Sequence, residues 1–152
     1  MRLFNMNDLN EAFQLISDFG GDFEGEKDIT LIEKAESALN LKFPPSYQVF
    51  LKKLGCGDIE GLEFYGLIDD NFERSSVPNA IWLTLHERKA SGLPDHLVLI
   101  YGLDDGTFYA IDTKIIGSDG ENPIVRYGAD GITEKVADNF GSFLLSELKT
   151  VL

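Results

Sequence analysis

One cysteine in 152 residues, Cys56, leaves no internal disulfide and no second thiol for a zinc site, a usage that agrees with a reducing compartment. Histidine is almost as scarce: His86 and His96 are too far apart for the i, i+4 spacing of a helical metal pair, and both read as surface or loop residues. No apolar run approaches the roughly 20 residues of a membrane span. Residues 1–20 show neither a basic start with an apolar core nor a small-residue cleavage site, so the chain is expected to be cytosolic, with no membrane partner. Bases are the most telling shortage. Against 26 acidic side chains stand 13 basic ones, a net charge of −13 that repels nucleic-acid phosphates and anionic lipid and attracts a cationic partner. Lysine and arginine are missing from residues 3–26 and 54–73, each with six acids, and from 90–113, with four. Such windows suit a generic solvated surface or a partner-selective one.

What the chain does have is apolar residues at 43% and aromatics at 11%, without a repeat or a low-complexity tract. Its length suits one domain, residues 1–152, that buries roughly 68–70% of its unfolded surface. The organising stretch is residues 30–67. Thr30 and Glu33 have the spacing of a capping box, and Ile32, Ala35, Glu36 and Leu39 share a helical face. Phe43-Pro44-Pro45 forces an extended corner, with Pro45 suited to the first turn of a second helix. Tyr47, Phe50, Leu51 and Leu54 form that helix's buried stripe, Gly55 and Gly57 stop it, and Leu62 to Leu67 reads as a strand.

Upstream, Asn7 or Asp8 can cap a helix bearing Leu9, Ala12, Phe13 and Ile16, stopped by Gly20-Gly21; residues 22–27 read as an exposed connection. Downstream, residues 69–78 read as a long loop. Asn79 can cap a helix from Ala80 to about Ala90, although Ile81, Leu83 and Leu85 also alternate like a strand; the helix is the reading taken. Leu97–Tyr101 and Thr107–Ile111 flank a Gly-Leu-Asp-Asp-Gly turn as two central antiparallel strands, Ile124–Tyr127 is a further strand, and Asp138 caps a last helix carrying Phe140, Phe143, Leu144 and Leu148. Gly141 weakens that helix slightly. The pattern predicts a single α+β domain with a mainly antiparallel sheet, N-terminal helices and a C-terminal helix packed against it.

Candidate chemistry was tested group by group. Cys56 lies at a helix C-terminus, where the dipole opposes a thiolate, and reads as a buried or turn residue. No Gly-x-Ser-x-Gly elbow is present, and Ser142 sits in the last helix. Asp69-Asp70 and Asp104-Asp105 fit no EF-hand loop, and the second pair is already accounted for by its turn. Residues 55–61 superficially resemble a dinucleotide loop but follow a helix and carry Asp58 and Glu60 where N–H donors are needed. The expectation is therefore a protein-binding module, with no catalytic residue, no metal and no cofactor.

Several of these residues, taken in order, carry a resemblance. Glu33 and Glu36, Phe43-Pro44 with Tyr47, Phe50-Leu51, Gly55-Cys56-Gly57 and Leu62-Glu63-Phe64-Tyr65-Gly66-Leu67 are followed by Gly92-Leu93-Pro94, Asp104-Asp105-Gly106 and Phe140 with Phe143-Leu144. The set resembles the SUKH superfamily, SMI/KNR-type domains similar to that of a fungal regulator of cell-wall assembly, over most of the chain from about Thr30. The resemblance implies a SUKH-like fold and an immunity protein that occludes a cognate bacterial toxin, often a nuclease, without turnover. A regulatory scaffold for endogenous proteins is its alternative implication.

Window 54–73 is the expected partner surface. Adjacent strand residues face opposite ways, so of Phe64 and Tyr65 one ring should point inward and one outward; Tyr65, if it is the outward ring, is the expected anchor, with Asp58, Glu60, Glu63, Asp69 and Asp70 supplying attraction around it. A solvated loop beside an ordinary strand is the plainer alternative.

Overall fold

The structure is a computed structural model that describes residues 6–131 and 133–152. The first residues of the 3–26 window and of the leader-peptide test lie outside the described residues. Among the described residues, helices α1 (Asn7–Phe19), α2 (Ile29–Leu39), α3 (Pro45–Leu54), α4 (Ala80–Ala90) and α5 (Phe140–Leu148) are combined with seven strands. β1 (Asp22–Phe23), β2 (Gly57–Ile59) and β3 (Leu62–Phe64) form one antiparallel sheet in that order. β4 (Leu97–Gly102), β5 (Phe108–Asp112), β6 (Ile124–Tyr127) and β7 (Thr133–Ala137) form a second, antiparallel throughout. The Tyr65 N–H donates to the Ile100 carbonyl at 2.8 Å and ties the two sheets together just after β3. This is the expected α+β class.

Both faces of the four-stranded sheet are buried along β4, β5 and the start of β6, while β7 is exposed. Val98, Ile100, Ile111 and Ile124 face the main core, where α1, α3 and α5 deliver Leu9, Tyr47, Phe50, Phe140 and Phe143. The alternate residues Leu97, Leu99, Ala110 and Val125 face a second, smaller core with Ala80, Leu83 and Leu93. The register shifts between Leu99 and Tyr101, and this bulge lets the consecutive residues Ile100 and Tyr101 both reach the main core. Helix α4 also seals the outer edge of β4: the fully buried Thr84 hydroxyl accepts the Leu99 N–H at 3.1 Å. β4 is therefore a terminal strand of its ladder and not a central one, as the sequence suggested.

Several boundaries differ from expectation. Asp28, extended in backbone, caps α2 by accepting the Leu31 N–H at 3.0 Å, while Thr30 and Glu33 already lie inside the helix and form no capping box. Asn7 is the first residue of α1 and Met6 holds the boundary without a side-chain cap. Asn139, one residue after Asp138, caps α5 by accepting the Ser142 N–H at 2.8 Å. Residues 22–27 are not a free connection, because Asp22 and Phe23 pair with β2 and Glu24 N–H donates to the Cys56 carbonyl. The strand expected over 62–67 ends at Phe64, since Tyr65 turns away to β4 and Gly66 bridges to Asn79. β7, whose exposed residues lack apolar alternation, was not anticipated. The α4 reading holds, with Asn79 Oδ1 accepting from both Ile81 and Trp82 N–H at 3.0 Å. Gly141 has a packing reason: a Cβ there would sit 3.2 Å from the Leu9 Cβ where α5 crosses α1.

The start of α3 shows how a helix is held when its own cap cannot act. Pro44 occupies the cap position without a side-chain bond, and Pro45 has no N–H. Two buried carboxylates from elsewhere serve instead. Glu36 of α2 accepts the Phe43 N–H at 2.7 Å, and Glu121, from the turn before β6, accepts the Ser46 N–H at 2.8 Å and its hydroxyl at 2.6 Å. Both complement the positive end of the helix dipole. Glu121→Ala is expected to cost about 1.5–3 kcal/mol, the range for hydrogen bonds to a charged group, in urea unfolding at neutral pH. Burial raises the Glu121 carboxyl above its usual range, against the lowering effect of the Ser46 bonds. The folded state then binds the proton more readily than the unfolded chain, so this group's contribution is largest at acid pH and declines as pH rises from the ordinary carboxylate value through the raised one. Unfolding of the parent and of Glu121→Gln across that interval should therefore diverge with pH in this sense.

Candidate partner-binding surface

The β2–β3 hairpin is built by a two-residue turn, Glu60-Gly61, with both residues at positive φ, +49° and +84°. That is the dihedral pattern of a type I′ turn, which matches the right-handed twist of its strands. Glu60 tolerates this conformation less readily than the asparagine or glycine usual there, and the turn holds its side chain out at the exposed hairpin tip.

Alternation then divides the hairpin. Ile59, Leu62 and Phe64 enter the main core, leaving Asp58 and Glu63 on the outer face. Register places Asp58 opposite Asp22 on one side and opposite Glu63 on the other, so three carboxylates form one row across the sheet. Directly opposed like charges destabilise a sheet. No described residue forms an ion pair with Asp22, Asp58 or Glu63, although Glu24 beside them pairs with Lys27 at 3.3 Å. The row borders a cleft of about 230 Å³ whose lining includes Glu24, Cys56 and Ile68. Cys56 is buried there. Burial first, and then the neighbouring charge of Glu24, pushes its thiol up to about 12, so the thiolate is disfavoured.

Of the residues expected to act together, the structure joins Asp58, Glu60 and Glu63 on one hairpin. Asp69 and Asp70 make their contacts elsewhere: Asp69 accepts the Asn71 N–H at 2.9 Å, and Asp70 pairs with Lys34 of α2 at 3.4 Å. Tyr65 is corrected. Its ring does face away from Phe64, but that side of the sheet is covered by α4, and at 8% exposure Tyr65 is a core residue and not a surface anchor. Asp22 was missed because it stands in a different base-free window, 3–26; the shared shortage of bases was the only signal linking the two stretches. Asp105 is confirmed in its turn, accepting both the N–H and the hydroxyl of Thr107 and pairing with Arg126.

Among the described residues, no group of three or more histidine, cysteine or acidic side chains is arranged to hold a metal ion, and no helix is long and apolar enough to cross a membrane. Residues 29–144, from the first turn of α2 to the middle of α5, match the SUKH_6 family, described as SMI1-KNR4 cell-wall. The match spans the Pro-Pro corner, the glycine stop, every strand from β2 to β7 and the Phe140–Leu144 segment, and the chain belongs to the SUKH superfamily.

Proposed function

We propose that this chain is an immunity protein that binds a cognate toxin with a cationic surface, such as a nuclease, and neutralises it by occlusion without catalysis. The carrying observation is the Asp22–Asp58–Glu63 row, extended by Glu60 at the hairpin tip and unopposed by any described base. Intramolecular repulsion along that row is relieved when a partner's lysines and arginines dock on it. Nucleases present such cations where they grip phosphates, and a net charge of −13 steers the encounter from a distance. Asp69 and Asp70 are not part of this row, since Asp69 accepts from Asn71 and Asp70 is paired with Lys34. SUKH membership is compatible with this role.

The test uses the product of the coding region beside this chain's own, which this reading requires to be a toxin. Co-expression should protect cells from it. Changing Asp22, Asp58, Glu60 and Glu63 together to their amides should slow association about tenfold or more at low salt and flatten the salt dependence. The same variant should be slightly more stable than the parent at low salt, since opposed like charges are gone. Unchanged association kinetics would sink the surface assignment. Absence of both protection and binding would turn the reading toward a scaffold for endogenous proteins.

A further inference from the structure

A second surface differs in character from the acidic hairpin. Trp82, Leu85, His86 and Lys89 recur at i, i+3, i+4 and i+7 and form one outward stripe of α4. Facing them, Phe72, Glu73 and Arg74 of the long loop complete a groove of about 480 Å³, so its wall carries one acid beside its bases. That volume is within the roughly 300–1,000 Å³ of small-molecule sites. The loop wall is preset: Asn71 Oδ1 accepts the Arg74 N–H at 3.2 Å, the Asn71 amide donates to the Arg74 carbonyl at 3.0 Å, and Phe72 is packed against the main core.

Two features of the groove point to a ligand class. Trp82 and His86 stack with ring centroids 5.0 Å apart and planes at 17°, and the His86 side chain is 52% exposed, so the stack ends on a ring that solvent reaches. Arg74 and Lys89 are exposed, and neither side chain forms an ion pair or hydrogen bond with a described residue. Most other bases are committed: Lys27, Lys34, Lys42, Arg88, Arg126, Lys135 and Lys149 each contact a carboxylate. Free cations beside an open aromatic stack are what a planar base carrying a phosphate requires.

We propose that this groove binds a mononucleotide, its base continuing the Trp82–His86 stack and its phosphate held between Arg74 and Lys89. Two cations and a stacked base outweigh the nearest acids, Glu73 in the wall and Glu87 beside His86, and salt screens the remaining ones beyond about 8–10 Å. A polynucleotide would meet the chain's net charge of −13 at every further phosphate, so the ligand is a single nucleotide. This inference stands independently of the toxin-binding reading.

Trp82 is the only tryptophan, so its fluorescence reports directly on the groove. The full chain is titrated with adenosine, guanosine, cytidine and uridine monophosphates and with inorganic phosphate, and affinities are checked by calorimetry. At least one nucleotide should give a saturable change, with inorganic phosphate binding about tenfold or more weakly for want of a base to stack. Arg74→Gln with Lys89→Gln should weaken the nucleotide about tenfold or more at an unchanged melting temperature, and each single change should weaken it in part. His86→Ala should weaken the nucleotide and leave phosphate binding as it was. The proposal is overturned by no saturable binding of any nucleotide at about 10 mM, far above useful affinity. Equal affinity in the double variant, or tighter binding of a glutamate-rich peptide than of every nucleotide, also overturns it.

Discussion

Gly66→Ala is expected to destabilise this protein by about 3 kcal/mol or more, the upper end of overpacking effects, although Gly66 is not at a positive φ. The reason is contact. A Cβ at this position would lie 1.9 Å from the Gly55 carbonyl oxygen and 2.9 Å from Leu51 Cδ2. The carbonyl cannot retreat without breaking its 2.9 Å bond from the Leu67 N–H. Gly66 cannot retreat either, because its N–H donates to Pro78 at 2.9 Å and its carbonyl accepts from Ala80 at 2.8 Å. The position where the chain leaves β3, passes the end of α3 and bonds to the first residue of α4 thus admits no side chain. Urea unfolding checks the prediction; a midpoint equal to the parent's would show that this crossing is looser than the geometry states.

The second large effect is expected at Phe50. Its ring is fully buried, lies 6.0 Å from Tyr47 at an interplanar angle of 13°, and lies 5.0 Å from Phe140. It therefore joins α3 to α5 at the centre of the main core. Phe50→Ala should cost about 3–5 kcal/mol, from lost transfer energy plus the cavity left behind. Lys52→Ala, on the exposed side of the same helix, should change stability by no more than about 0.5 kcal/mol. Comparable losses at the two positions would mean that the ring is not the keystone its packing indicates.

The central helices were legible because their determinants are local. The Pro-Pro corner, the stripe of Tyr47, Phe50 and Leu51, and the Gly55 stop act within a few residues, and the structure reproduces them. Asn79 and α4 were legible for the same reason. The helix caps erred by one or two residues because acceptor-bearing side chains stood next to each other, as with Asp138 and Asn139, and backbone dihedrals chose between them. β7 was missed because an exposed strand needs no apolar alternation; its pairing with β6 defines it, and pairing is not local.

Composition and local pattern determined the α+β class, the acidic field, the buried Phe50 and Tyr47, and the family to which the chain belongs. Tertiary structure decided the rest through register and coverage. Pairing β1 and β3 on either side of β2 brought Asp22 to Asp58 and Glu63, a row no single window displays. Packing α4 over the back of the sheet buried Tyr65, which alternation alone left free to face water. A strand's own residues set which way each side chain points; only the elements folded against it decide whether that direction meets water or another side chain.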